Sequence, residues 1–207
     1  MNETRQEIAY DPNWVGHLIK HIDNQREESL SLLVFDYANL GDTVARTKLA
    51  QVSSAKASLD DRFATQEALY CAGARNFCLI DVPPAHEFPK GPKTTRARTA
   101  YEAWNPLLRE GAKAFIDAHP DATVIIFSSW NLFLLILADP LSYGLPCQGK
   151  SRSALFVDGF HSTSAVHAII AKELLTSLRE FAGIDSSDGG YGPTLPHSHL
   201  LPVSASH

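Results

Sequence analysis

Residues 158–167 read DGFHSTSAVH. Asp158 and His161 stand three positions apart, close enough for one tight turn to join a carboxylate to an imidazole. In such a pair the carboxylate holds one ring nitrogen, and the other nitrogen is left to take a proton from a nucleophile. That is the base-and-orienter half of a serine–histidine–aspartate triad. Taken alone the spacing is common, since a histidine near a helix start also serves as a solvent-facing or capping residue. The question it raises is which hydroxyl would complete the triad.

No serine is an obvious answer. The stretch LGDTV (40–44) offers Thr43 after a turn, and FSSW offers Ser128 and Ser129 after an apolar run. Ser162 and Ser164 flank the start of the last helix. The reading favoured for Ser128, Ser129, Ser162 and Ser164 is helix capping, where a hydroxyl satisfies an orphan backbone N–H.

Other chemistry is less well supported. His17 and His21 are four apart on one helix, a spacing that could bind a metal, but no glutamate lies between them and no third ligand follows. They read as exposed helix histidines. His86 sits in a loop after two prolines, and His197, His199 and His207 belong to the C-terminal segment. Three cysteines, Cys71, Cys78 and Cys147, lack the paired spacing of a zinc site or a disulfide framework. Cys71 and Cys78 are expected to be small buried packing residues. Trp104 and Trp130 are expected to pack helices against a sheet. No metal or cofactor is called for.

The elements that must position Asp158 and His161 can be read from periodicity. In NWVGHLIKHI, Trp14, Leu18 and Ile22 recur every four residues, one stripe of a helix. SLLVFDYA (31–38) is a short strand-forming run followed by turn residues. Residues 56–73 read as a helix ending at Gly73. NFCLIDVPP (76–84) reads as a buried strand stopped by prolines, which cannot continue a ladder. A loop containing KGPKTTRAR (90–98), taken as solvated, leads into a helix at 99–118. ATVIIFSSW (122–130) is a third strand whose continuous apolar run suits burial on both faces. A helix stops at Pro140, ALFVDGFH is a short extended piece, and STSAVHAIIAKELLTSLREFA is the last helix. Alternating strands and helices predict an α/β layered domain over residues 1–183 with a mostly parallel sheet. Residues 184–207 are expected to be a loose tail. DYANLGDT, DVPP and DGFH each follow a predicted strand, so they are expected to meet at the carboxyl ends of the sheet, where ligands bind in such folds.

Composition limits the function classes. The 207 residues are 44% hydrophobic and 20% charged, with a net charge of −5. That is ordinary usage for a folded domain. The charge argues against nucleic acid or an anionic membrane as the main partner. NLFLLILADPLSYGL is cut by Asp139 and Pro140 and is too short to span a bilayer. The polar, acidic opening MNETRQEIAYDPNW does not read as a signal peptide, so the chain as written reads as cytoplasmic.

Five stretches taken together, NWVGHLI…LLVFDYANLGDTV, LYCAGARNFCLIDVPP, AWNPLL, ILADPLSYGL and FVDGFHSTSAVHAIIAKEL, resemble the GDSL-type SGNH hydrolases. The likeness covers about residues 12–182 in the family's order. It is closest to fungal esterases of the carbohydrate-esterase (acetylesterase) group and to lipase-like acylhydrolases. DGFHST is similar to the family's last block, D-x-x-H-P-T, with Ser162 in place of the proline. The resemblance implies a flavodoxin-like three-layer α/β/α fold and a serine esterase that needs no metal or cofactor. It implies a small acylated substrate, an acetylated sugar or a lipid ester. Carried over by position, Asp158 would orient His161, the general base. Gly41 in YANLGDTV would supply a backbone N–H to the tetrahedral oxyanion. Many members of the family are secreted, unlike the reading of this N-terminus.

Two family blocks have no counterpart. The Gly-Asp-Ser block that carries the nucleophile lies upstream of the region matching NWVGHLI, and the expectation is that the first strand and its serine are missing, leaving an exposed apolar sheet edge prone to self-association. The Gly-x-Asn-Asp block, whose Asn supplies a second oxyanion donor, is replaced by KLAQVSSAKASLDDRF. Two classes of function therefore stand: an ester hydrolase, or an inactive relative that binds a ligand or partner at the remnant cleft.

Overall fold

The computed structural model describes residues 13–25, 52–146, 154–182 and 200–202. The predicted strand at 31–38, Thr43, Gly41 and Cys147 lie outside the described residues.

The helices form where apolar residues recur on one face. In α1 (Trp14–Gln25), Leu18 is buried while Trp14 and Ile22 pack beside it, and the Asn13 side chain accepts the Gly16 N–H at 3.1 Å. Ile19, on another face of the same helix, is exposed. In α5 (Ser164–Phe181), Val166, Ile170 and Leu174 form a buried row at intervals of four. These two helices pack on each other. On the other side lie α2 (Val52–Cys71) and α3 (Thr95–Ala118), which face each other through Leu59, Leu108, Ala112 and Phe115. Gly111 permits that approach, because a Cβ there would sit 2.1 Å from the Phe63 ring. Pro106 lies within α3 without breaking it, and the α4 helix (Ser129–Ala138) completes the set.

Between the helix pairs runs a small sheet. β1 (Asn76–Ile80) and β2 (Thr123–Phe127) are parallel, in register from Asn76–Thr123 to Ile80–Phe127. The crossover between them is α3, which gives a β–α–β unit. The alternation of a strand divides β2 between two cores: Ile125 and Phe127 belong to the α1/α5 side, Val124 and Ile126 to the α2/α3 side. All four are buried, which explains the unbroken apolar run in the sequence. The result is the α/β layering expected from the resemblance, with helices on both sheet faces.

Several boundaries differ from the sequence reading, each for a local reason. The α3 helix begins at Thr95, within the basic run taken as a solvated loop, because Thr94 accepts the Ala97 N–H at 3.2 Å and caps it. β2 stops at Phe127 because Ser128 turns to cap α4, accepting the Asn131 N–H at 3.2 Å. β1 stops at Ile80, short of the prolines. The tail is not loose throughout: β3 (Leu200–Pro202) pairs antiparallel with β2, with Leu200 opposite Phe127 and Pro202 opposite Ile125. A three-residue strand ending in proline is too short to register as a pattern. β2 thus lies between β1 and β3, and among the described residues the far edge of β1 has no partner strand. No helix among them is long and apolar enough to cross a membrane.

Candidate active site

The segment between α4 and α5 is anchored before it turns. Leu155 and Phe156 are buried, and Phe156 bridges to Ser162. The Val157 N–H donates to His161 O at 2.8 Å, and the Thr163 N–H to Leu155 O at 2.9 Å. This leaves residues 157–161 as a protruding turn. Gly159 has φ +89°, a conformation that costs glycine little and other residues much.

Asp158 and His161 meet at the tip. His161 Nδ1 lies 2.7 Å from Asp158 Oδ2, while Asp158 Oδ1 accepts the backbone N–H of His161 at 2.8 Å and of Phe160 at 2.9 Å. The His161 N–H, the His161 ring and the Phe160 N–H together hold the Asp158 carboxyl well below the ordinary carboxylate range. An ionised carboxylate can only accept, so Nδ1 is the donor in this contact and Nε2 is the ring nitrogen turned away from Asp158. The His161 side chain is 65% exposed, and among the described residues Nε2 has no hydrogen-bond partner. Geometrically the pair is a carboxylate-held imidazole whose other nitrogen is unpartnered among the described residues. The structure brings these two residues together; the third predicted site residue, Gly41, lies outside the described residues.

Of the hydroxyls weighed as nucleophiles, those of Ser128, Ser129 and Ser164 have other partners. Ser128 is fully buried and donates to Asp81 Oδ2 at 2.8 Å, and Ser129 donates to Asp81 as well. Thr163, not Ser162 or Ser164, caps α5, accepting the Val166 N–H at 3.5 Å and donating to Ala154 O at 2.8 Å. Ser162 sits in the bridge to Phe156, and Ser164 is bonded to the ring of His17. His17 is accordingly half-buried between α1 and α5 rather than an exposed helix histidine.

Two supporting residues were not anticipated. Asp81, at the carboxyl end of β1, is buried, and its carboxylate accepts the Trp130 N–H at 2.8 Å besides the two serine hydroxyls. Burial pushes its carboxyl up, against the opposing pull of those donors and of Arg109 at 3.8 Å. Asn105 of α3 clamps the next residue from both sides, accepting the Val82 N–H at 2.9 Å and donating to Val82 O at 3.0 Å. Both hold the end of β1, from which the loop of residues 81–92 departs.

That loop reaches the Asp158 turn. Phe88 is buried against Phe156, and the Lys90 N–H donates to Gly159 O at 2.9 Å. DVPP and DGFH therefore converge as expected of strand-end segments, while DYANLGDT lies outside the described residues. The basic run contributes structure as well as charge: Lys93 Nζ donates to His86 O and Phe88 O, both at 2.7 Å. His86 is buried beside the rings of Tyr101 and Trp130. Trp104 and Trp130 pack against the core. Cys71 is exposed, contrary to expectation, whereas Cys78 is exposed at its surface yet enclosed enough that burial pushes its thiol up to about 12. Cys78 faces the side opposite Leu79, where the cover begins only at Ile80.

No family model matches the chain. Over 124 residues it is 28% identical to an acetylesterase of Thermothelomyces thermophilus, covering 55% of this chain and 41% of that protein. Over 146 residues it is 28% identical to a GDSL esterase/lipase of Arabidopsis thaliana, covering 55% of this chain and 40% of the relative. The chain spans about two fifths of the length of the curated relatives it matches. Both relatives, one fungal and one from a plant, are named esterases, and the chain's similarity to them supports a GDSL/SGNH-like family.

Proposed function

We propose that Asp158 and His161 are the orienter and general base of an ester hydrolase acting on a small acylated substrate, an acetylated sugar or a lipid ester. The observation that carries this reading is the 2.7 Å contact between Asp158 Oδ2 and His161 Nδ1, with Nε2 exposed and unpartnered among the described residues. The names of the two relatives, an acetylesterase and a GDSL esterase/lipase, support the reaction class. Gly41 is proposed as an oxyanion donor, worth about 3 kcal/mol of barrier where such a donor is aligned. In the reaction, Nε2 takes the proton of an attacking hydroxyl while Asp158 holds the ring and stabilises the imidazolium that forms.

Among the described residues no hydroxyl is hydrogen-bonded to Nε2. This favours a second reading: a relative without its own nucleophile, binding an ester or a partner where the first would cleave. The chain alone should then hydrolyse aryl acetates little faster than a His161→Ala variant, and should take no fluorophosphonate label. A longer chain with a Gly-Asp-Ser strand and turn placed before Asn13, and a Gly-x-Asn-Asp segment near residue 53, should be active. Its activity should fall by orders of magnitude on His161→Ala or Asp158→Asn. Activity of the extended chain that survives both substitutions refutes the base assignment.

A further inference from the structure

We infer that the backbone N–H of Lys90 is a positioning element for the Asp158–His161 pair, acting through the Gly159–Phe160 peptide. It rests on the reading of that pair as an oriented base, and it concerns how the orientation is set.

The argument is one of peptide geometry. In a planar trans peptide the C=O and the N–H point in opposite directions. The carbonyl of the Gly159–Phe160 peptide accepts the Lys90 N–H at 2.9 Å. The N–H of the same peptide, that of Phe160, therefore points away from Lys90, and it meets Asp158 Oδ1 at 2.9 Å. Oδ1 also takes the His161 N–H at 2.8 Å, which leaves Oδ2 to receive His161 Nδ1 at 2.7 Å. Rotating this one peptide would replace a donor facing the carboxylate with a carbonyl oxygen. The carboxylate would then lose one of the bonds that fix its plane, and the imidazole would lose its reference.

The other side of the contact is rigid enough to serve as a fixed point. Phe88 lies against Phe133, Phe156 and Phe160 with ring centroids 5.2, 4.6 and 5.9 Å away. Lys93 Nζ ties the carbonyls of His86 and Phe88, and the Gly91 N–H closes on Phe88 O at 2.9 Å. At Gly91 a Cβ would sit 1.8 Å from Ala85 O, so the loop folds tightly upon itself. Gly159 fits against it for two reasons: its φ of +89° suits glycine, and a Cβ there would lie 3.0 Å from Lys90 Cγ. The loop after β1 thus acts as a mould for the turn before α5.

The test uses the full chain, isotope-labelled for NMR, with no substrate. In the wild-type chain the Lys90, Phe160 and His161 amides should be protected from hydrogen exchange, and the His161 ring should show a hydrogen-bonded Nδ1. Lys90→Pro, which removes the donor, and Gly159→Ala should make the Phe160 and His161 amides exchange about tenfold faster or more. The His161 Nδ1 resonance should move towards that of a free ring, while the Ile125 and Ile126 amides in β2 keep their protection. Lys90→Ala keeps the N–H and should change none of these signals. Wild-type exchange and ring signals in Lys90→Pro or Gly159→Ala, or equal losses in Lys90→Ala, would overturn the inference. Should the β2 amides collapse in both variants, Asp158→Ala decides, since it removes the carboxylate but leaves the Lys90 N–H and the Gly159 carbonyl in place. There the Lys90 N–H should stay protected, and its loss would mean that the pair organises the loop instead. These signals are independent of turnover, so an inactive extended chain would count against the functional reading and leave this one standing.

Discussion

The His17 Nε2 atom lies 3.0 Å from Ser164 Oγ, joining the first turn of α1 to the first turn of α5 across 147 positions of sequence. His161 is three residues before Ser164, so this bond brings the start of α1 to the neighbourhood of the candidate base.

Removing the His17–Ser164 bond should loosen the contact between α1 and α5. His17→Ala is expected to cost about 0.5–1.5 kcal/mol of stability, the usual net worth of one hydrogen bond, with further loss from packing. Urea denaturation measures this, and an unchanged midpoint would show that the α1–α5 contact does not depend on the bond.

Thr163 should be more sensitive than its neighbours. It caps α5 through the Val166 N–H and also fastens the turn through Ala154 O at 2.8 Å. Thr163→Ala should destabilise by about 0.5–2 kcal/mol for the cap alone, and Thr163→Ser should recover most of it. Thermal denaturation of the two variants, with Ser162→Ala as a control, checks the assignment of the cap.

Acid should act on the site through Asp158. Its folded carboxyl titrates below its unfolded value, so its contribution to stability is present above about pH 4 and is lost as pH falls towards the folded value. The difference in unfolding free energy between wild type and Asp158→Asn should therefore shrink as pH is lowered from about 4. A difference independent of pH over that range would contradict the donor geometry at Oδ1 and Oδ2.

Asp81 should behave in the opposite sense. Burial raises its folded carboxyl, so its favourable contribution is complete below about pH 4 and declines as pH rises through the folded value. Asp81→Asn should remove that decline while keeping an acceptor for the Trp130 N–H. Stability curves of the two proteins above about pH 4 should then converge or cross in favour of the variant. Parallel curves would show that the serine and backbone donors fully offset burial.

The Asp158–His161 contact was legible because three residues of turn can close it, with no need of distant partners. The β1–β2 pairing was legible from two apolar runs separated by a helical pattern. Asp81 and Asn105 were not, because their partners lie 47 and 23 positions away, and a polar residue at a strand end looks like any other loop residue. The α3 start was misplaced because Thr94 sits among lysines and arginines, where charge drew attention away from a cap. Cys78 differs from the reading of 76–84 as a buried strand because β1 alternates, with Leu79 buried and Cys78 exposed.

Gly111 and Phe63 carry a consequence for sequence variation. Since a Cβ at position 111 would meet the Phe63 ring at 2.1 Å, the two positions cannot vary independently. Gly111→Ala alone must displace the ring or push α2 away from α3, although alanine is the better helix former. Paired with Phe63→Leu, the same alanine should be tolerated, and the sum of the single effects should exceed the effect of the double substitution. Among homologues, a larger residue at the position equivalent to 111 should therefore travel with a smaller one at the position equivalent to 63, a pairwise epistasis written into the spacing of two helices.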